Sequence, residues 1–451
     1  MPTSSERAGI LPMKWHPAGM MLTVWTVCFT LFFVLPFQLV GREITGFGLA
    51  MLVASVMAFC IGAWLRTHAM PQHRQGQVAM PDFSRTDPVL IAASLIGILV
   101  LLLEWRSNGG GLSDAWNVRS DRTTALLYGA DSGSSLSFQI GFLFSPVGYT
   151  VIAREIIFRT PVRPIRLAIL GFGPLLASSL ALGGRAPLLW GFTMMALSVM
   201  TKRWTIMPPS TMVRQRNPRT VMMVIAGGIA ALFALNYFVQ VFVVRAEGIG
   251  GIENMFDSVA TIWGVTFEGP SAEWMKRILG VGNTYLIFVF SWYITQGIVI
   301  ASTLFSGYEG PPMFGSYGIE LVSAAVRRTN GAYLAERNLE LNDLNVFGYL
   351  PSAFGTLYVD YWYFGLLIAG VWGYIAGIVY ARVRLLNDVR WALAAPFVMQ
   401  GIGTSVINTP LGTTNGLVSL SWMTLAFFLA RPATPAIRYS GDREMLGFPS
   451  A

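Results

Sequence analysis

Charge is scarce in this sequence. Asp, Glu, Lys and Arg make up 12% of its 451 residues, about half of the roughly 25% carried by soluble domains, which excludes an ordinary soluble enzyme. Histidine is almost missing: His16, His68 and His73 are the three in the chain. Both cysteines, Cys28 and Cys60, fall inside apolar runs, so no disulfide framework is legible and both read as packing residues. His, Cys or closely spaced Asp are nowhere clustered as a metal site requires, and neither a metal nor another cofactor is expected. There is no repeat of fixed period, no low-complexity tract and no soluble second domain. Residues 1–451 read as a single multispan membrane domain.

Long apolar runs are what the chain has instead. Segments near 20–40, 47–65, 88–104, 135–153, 165–182, 186–201, 220–244, 356–380, 391–408 and 415–431 each approach the about 17–25 residues that cross a bilayer. Met1 to Pro17 is polar and no small-residue cleavage pattern follows the first run, which argues for a retained first span. The net charge of +8 is gathered in short clusters between the runs. Arg154, Arg159, Arg163 and Arg166 form one, Lys202, Arg203, Arg214, Arg216 and Arg219 another, and Arg382, Arg384 and Arg390 a third. Such clusters are topology signals and not a nucleic-acid surface; they place these connections, and the N-terminus with Arg7 and Lys14, in the cytoplasm.

One further run, 283–305, conflicts with that assignment. If it crossed, Arg382 to Arg390 would lie outside, against the charge rule. It carries Asn283, Ser291, Thr295, Gln296 and Ser302, so it is expected to be re-entrant or to lie in the interface, supported by protein. The expected fold is an all-α polytopic membrane protein of about ten spans, both termini cytoplasmic. Its outer loops 105–133, 245–282 and 306–355 are expected to form the active-site face, long loops in compact folds being often functional.

Arginines on the outer side need a separate reason. In "LALGGRAPLLW" (Leu180 to Trp190), Gly183 and Gly184 can close one helix and Pro187 suits the first turn of the next. Arg185 then sits by a helix N-terminus, where free N–H groups favour an anion; the plainer reading is an arginine snorkelling to lipid headgroups. Arg245 ends the seventh span at the same surface, and Arg327 and Arg328 lie in the last outer loop. Guanidinium groups converging there suit a multiply charged anion such as a lipid pyrophosphate.

That last loop concentrates polar residues and aromatics between Arg327 and Leu367. Glu340, Asp343 and Asp360 are candidate proton acceptors, with Glu336 a further acid. Asn345, Tyr349 and Tyr358 are candidate glycan contacts, although aromatics at this depth also form interface belts. Asp360 stands apart because an acid so near an apolar span is costly unless it is paired or functional; pairing with an outer arginine and catalysis are the two expectations.

These residues carry a resemblance. "LGGRAPLL", the arginine closing a span at Arg245, and "NVFGYLPSAFGTLYVDYWYFG" ahead of a late span together resemble the oligosaccharide repeat unit polymerases of bacterial surface polysaccharides, the Wzy type that includes O-antigen polymerases. The likeness extends over roughly 138–431 and rests on the order of individually weak motifs. The family's Asn-Val-aromatic-Thr is here Asn345, Val346, Phe347, Gly348, and its Asp-aromatic-Gly is Asp360, Tyr361, Trp362, which leaves the roles of Asn345 and Asp360 open.

The resemblance implies an architecture like that of the GT-C-like polymerases and ligases. It also implies metal-independent glycosyl transfer on the periplasmic face of the inner membrane. There the growing glycan on undecaprenyl pyrophosphate would pass to a hydroxyl of a new lipid-linked unit, with a chain-length regulator protein as a possible partner. Arg185, Arg245, Arg327 and Arg328 would hold pyrophosphate, and Asp360, Asp343 or Glu340 would serve as base. The chemistry agrees: pyrophosphate leaves readily once its charge is stabilised, and with no histidine outside, a side-chain base must be a carboxylate. Absence of an outer histidine also argues against the related ligases. The alternative is a lipid-linked oligosaccharide flippase or another transporter, which the lack of midplane charge in the expected spans disfavours.

Overall fold

A computed structural model describes residues 16–69, 80–107, 135–182, 186–205, 251, 254, 256, 260, 263–346, 350–384, 388–413 and 415–431. The chain is an all-α polytopic membrane protein. Seven helical stretches among the described residues are long and apolar enough to cross a membrane: 17–34, 46–68, 86–107, 136–158, 164–181, 281–307 and 364–384. The predicted span at 220–244 lies outside the described residues, as does most of the outer loop 105–133; of the outer loop 245–282 the described part is chiefly 263–282.

The N-terminal hairpin shows why these segments are helices. In α1 (Pro17–Val34), Pro17 fills the first turn and the His16 ring accepts from the Ala18 N–H. The helix stops before Pro36, whose ring disfavours a helical conformation at Leu35. A short strand, β1 (Phe37–Leu39), follows; then Thr45 caps α2 (Gly46–His68) by accepting from the Gly48 N–H at 2.9 Å. The chain continues through α3 (Thr86–Ser107), α4 (Leu136–Phe144) and α5 (Val147–Phe158). A π-helical stretch, Leu167–Phe172, leads into α6 (Gly173–Leu182), and α7 (Ala186–Thr205) follows. Later, β2 (Val265–Phe267) pairs antiparallel with β1 and precedes α8 (Pro270–Leu279) and α9 (Val281–Gly307). The C-terminal part comprises α10 (Glu320–Asp343), α11 (Ser352–Tyr361), α12 (Phe364–Arg384), α13 (Ala395–Gly403) and α14 (Gly416–Leu429).

α2 and α12 run parallel with their backbones in contact. A Cβ on Gly62 would strike the Gly370 carbonyl, one on Gly373 the Phe59 carbonyl, and one on Gly377 the Ala63 carbonyl. Small residues let membrane helices approach this closely, and dispersion between backbones then replaces side-chain interdigitation. Gly373→Ala is therefore expected to force the pair apart and lower stability by about 1–3 kcal/mol. Thermal unfolding in detergent would measure this, and an unchanged midpoint would contradict the packing described.

Two sequence expectations are corrected. The runs 391–408 and 415–431 do not form two full spans. A 3-10 turn at Val389–Leu393 leads into α13, nine residues long, and after the loop 404–415 comes α14 with fourteen. Thr404, Ser405, Asn408 and Thr409 interrupt the apolar run and are bonded within the loop or to its neighbours. The run 283–305 does not turn back on itself: α9 is one unbroken helix of 27 residues, about 40 Å long. Four of the five polar residues that suggested a re-entrant path are accounted for by packing, since Ser291, Thr295, Gln296 and Ser302 are all buried, Ser302 accepting from the Thr45 N–H at 3.0 Å, while exposed Asn283 donates to the Leu279 carbonyl at 2.8 Å. α9 also passes along one end of the α1–α2 hairpin. Phe288 and Trp292 pack on Phe37 just after α1, and Ser302 and Ser306 meet Thr45 just before α2.

Charge divides the bundle into two ends. At one, Arg66 and Arg384 close α2 and α12, the Arg384 guanidinium donates to the Trp204 carbonyl at the end of α7, Arg390 covers the Phe427 ring, and Arg431 pairs through its backbone with Asp82. Arg154, Arg159 and Arg166 join this end in ion pairs with Asp87 and Glu155. The other end carries the starts of α2, α7, α12 and α14 and the loops described next.

Candidate functional site

α11 is the floor of this second end. It is buried along nearly its whole length and packs on the C-terminal half of α9, Gly355 against Ala301 and Tyr358 against Phe305. Asp360 stands near its last turn with 2% of its surface exposed. One carboxylate oxygen accepts the Tyr317 N–H at 3.1 Å and the other the Gly318 N–H at 2.9 Å. Backbone amides converging on a carboxylate compensate for the loss of water. Burial still dominates, raising the carboxyl to about 6, while the amides of Tyr317, Gly318 and Gly315 draw it back down. Asp360 thus fastens the loop 314–318 onto α11. Among the described residues its hydrogen-bond partners are backbone N–H groups; Arg185 and Arg245, two of the outer arginines it was expected to pair with, lie outside those residues.

Backbone strain gathers at the same place. Every non-glycine residue with positive φ among the described residues lies at this end: Phe314 (49°), Asn345 (54°), Ser352 (66°), Trp362 (52°) and Asn415 (62°). For bulky Phe314 and Trp362 this conformation is unfavourable and persists because the surroundings fix it. Trp362 is held by its indole N–H donating to the Gly310 carbonyl at 2.8 Å and by stacking on Tyr358.

α10 supplies the charged wall. It kinks at Asn330 (φ −150°, ψ 65°), and its second half is anchored by buried Leu334 and Leu341. Arg337 bonds Glu336 at 2.5 Å and Glu340 at 2.7 Å. Glu340 lies against Gly310, where a Cβ would sit 2.5 Å from its carboxylate oxygens. The Tyr308 hydroxyl donates to the Pro311 carbonyl beside this pair, and burial, then the Glu340 charge, push that phenol up. At the end of α10, Arg42 donates to the Asn345 carbonyl at 2.6 Å.

The structure brings together some of the sequence candidates. Glu340, Asn345, Tyr358 and Asp360 line this end, but Tyr358 is 5% exposed within the aromatic cluster of Phe305, Trp362 and Tyr363. Asp343, Arg327 and Arg328 are exposed and have no ion-pair partner among the described residues; both arginines precede the kink. Arg185, Arg245 and Tyr349 lie outside the described residues. Sequence reasoning missed Arg337 and Arg42. The first was legible from its spacing to Glu336 and Glu340; the second lies in the short connection before α2, far in sequence from Asn345, and had no local signal.

A half-exposed carboxylate held by a guanidinium, over an aromatic floor and beside a loop pinned by a buried acid, can accept a proton from a hydroxyl and orient it. Among the described residues no group of His, Cys, Asp and Glu is arranged to hold a metal ion. Against protein-family models, curated proteins and solved structures, the chain finds no match in any of the three comparisons.

Proposed function

We propose that the chain is a glycosyltransferase of the bacterial inner membrane that polymerises undecaprenyl-pyrophosphate-linked oligosaccharide units, with the arginine-rich end in the cytoplasm and the α11 end facing the periplasm. One observation carries this reading. The ionisable residues within the described spans lie near span ends, and proton-accepting, cationic and aromatic groups collect at one surface. Such an arrangement suits chemistry at the membrane surface, whereas a transporter needs polar groups near the midplane. The resemblance to Wzy-type polymerases and to the GT-C-like architecture points the same way.

In this proposal a hydroxyl of the incoming unit attacks the anomeric carbon of the growing glycan. Its proton passes to Glu340 as the carbon–oxygen bond to pyrophosphate breaks, and the diphosphate leaves with the bonding electrons. Arg185 and Arg245 hold that developing charge, with Arg42 and Arg337 near the acceptor. Asp360 acts as a positioning residue that fixes the loop 314–318.

Reconstitution into liposomes tests the proposal. Lengthening of a lipid-linked oligosaccharide, lost in Arg185→Ala at normal expression and insertion, is the expected result. Movement of fluorescent lipid across the bilayer without lengthening would establish a transporter instead.

A further inference from the structure

β2, α8 and the start of α9 enclose a pocket of about 240 Å³ that none of the roles above uses. It has room for about eight waters at roughly 30 Å³ each, hence for one sugar ring and not for an oligosaccharide. Phe256, Phe267 and Val281 make its wall apolar, and Thr266, Glu268 and Lys276 supply its polar groups. Lys276 is held in place: its ammonium bonds Glu273 at 2.7 Å and lies 5.7 Å from the centre of the Phe256 ring. An ammonium has three donors, and Glu273 is the one acceptor this one meets among the described residues. Glu268 is exposed, and neither its carboxylate nor the Thr266 hydroxyl has a partner among those residues.

Such a lining suits a ligand that donates and accepts and carries no net charge. A phosphate would have to displace Glu273 from Lys276 while facing the like charge of Glu268. An ammonium would find Glu268 and be repelled by Lys276. Sugar hydroxyls satisfy both groups at once, donating to Glu268 and accepting from Lys276, with Thr266 able to take either part, while the C–H face of the ring lies on the apolar wall. We infer that this pocket binds one neutral sugar ring of the glycan, separately from the diphosphate.

Its position suits a glycan tethered to lipid. Around α8, Ala272 is buried and Met275 packs on the core. Trp274 and Ile278, 63% and 60% exposed, form the strip on one side of these, and Glu273, Lys276 and Arg277 form the strip on the other. A helix of this kind lies in the interface, its apolar strip toward lipid and its charged strip, here with the pocket, toward water. The pocket is also joined to the candidate site. Gly264, just before β2, lies against Arg42, where a Cβ would sit 2.9 Å from the guanidinium Nε, and Arg42 in turn donates to the Asn345 carbonyl. Glu268 lies about 13 Å farther along the extended chain, so a ring in the pocket is one short strand away from the Arg42 corner of that site.

The inference rests on the proposed function for its choice of glycan, yet a transporter of the same glycan would bind the ring equally, so binding and lengthening can fail separately. The test uses full-length protein in lipid nanodiscs and a panel of dodecyl glycosides (glucoside, galactoside, mannoside, rhamnoside and N-acetylglucosaminide), each carrying a photoreactive diazirine on its sugar. At least one is expected to label peptides carrying Phe256, 263–268 or 276–281, with suppression by excess unmodified glycoside and by neither lauryldimethylamine oxide nor glycerophosphoethanolamine. Glu268→Ala should lower labelling by about tenfold and, independently, Thr266→Val by about fivefold, the effect of a lost hydrogen bond to a charged and to a neutral group. Arg277→Ala, exposed and outside the pocket, should leave it unchanged. Absence of label from every glycoside, competition by the sugarless detergent or by the zwitterion, full labelling of both pocket variants, or an equal loss in Arg277→Ala would overturn the inference. Lengthening activity is measured in parallel and bears on the polymerase reading alone.

Discussion

Glu155→Gln is expected to lower stability by about 3–5 kcal/mol, the range for removing one partner of a buried ion pair. Glu155 is fully buried on α5, and one of its oxygens receives Arg154 at 2.9 Å and Arg159 and Arg166 at 3.1 Å each. Asp87, on α3, receives the same three guanidinium groups. Two carboxylates thus hold three arginines, and Lys202 on α7 donates to the Arg159 carbonyl at 2.6 Å. Neutralising Glu155 leaves three cations facing one acid, with Arg154 4% exposed and unable to reach water. Arg163→Gln, at an exposed neighbour with no ion-pair partner among the described residues, should shift stability by no more than about 0.5 kcal/mol. Thermal unfolding in detergent separates the two, and equal midpoints would remove the network from any account of stability.

Glu340→Gln is expected to reduce glycan lengthening by about 10²–10⁴-fold, the usual weight of a general base. The amide keeps the shape and can still accept from Arg337, so the fold should survive while the proton acceptor is lost. Asp343→Asn, three residues on and exposed, serves as the comparison. If Glu340 takes the proton, kcat falls with KM little changed in the first variant and neither moves in the second. Equal rates for wild type and Glu340→Gln would assign the pair with Arg337 to shape alone.

Much of the fold was legible because lipid leaves few choices: runs such as 47–65 and 88–104 have to be helices, and their ends were found within a few residues. Partnerships between distant positions were not. Arg154, Arg159 and Arg166 read from sequence as topology signals, and nothing local reveals that Asp87, about seventy residues away, meets all three. Ser291, Thr295 and Gln296 made α9 look re-entrant because hydropathy does not record whether a polar atom faces lipid or a neighbouring helix. Breakers at Gly401, Gly403, Pro410 and Gly412 did announce the loop 404–415, and the apolar residues around them hid it. For the site, the acids of the last outer loop were visible as candidates. Their division of labour, with Asp360 tied to backbone and Glu340 left half open, depends on burial and could not be read from spacing.

The glycine contacts between α2 and α12 leave no layer of side chains that could yield under load. α12 follows directly from α11, so the aromatic floor rests on a strut that reaches through to the arginine-rich end. Under the proposed function, any opening and closing around a bulky glycan would fall to the opposite wall, where the first half of α10 meets the second at the kink residue Asn330.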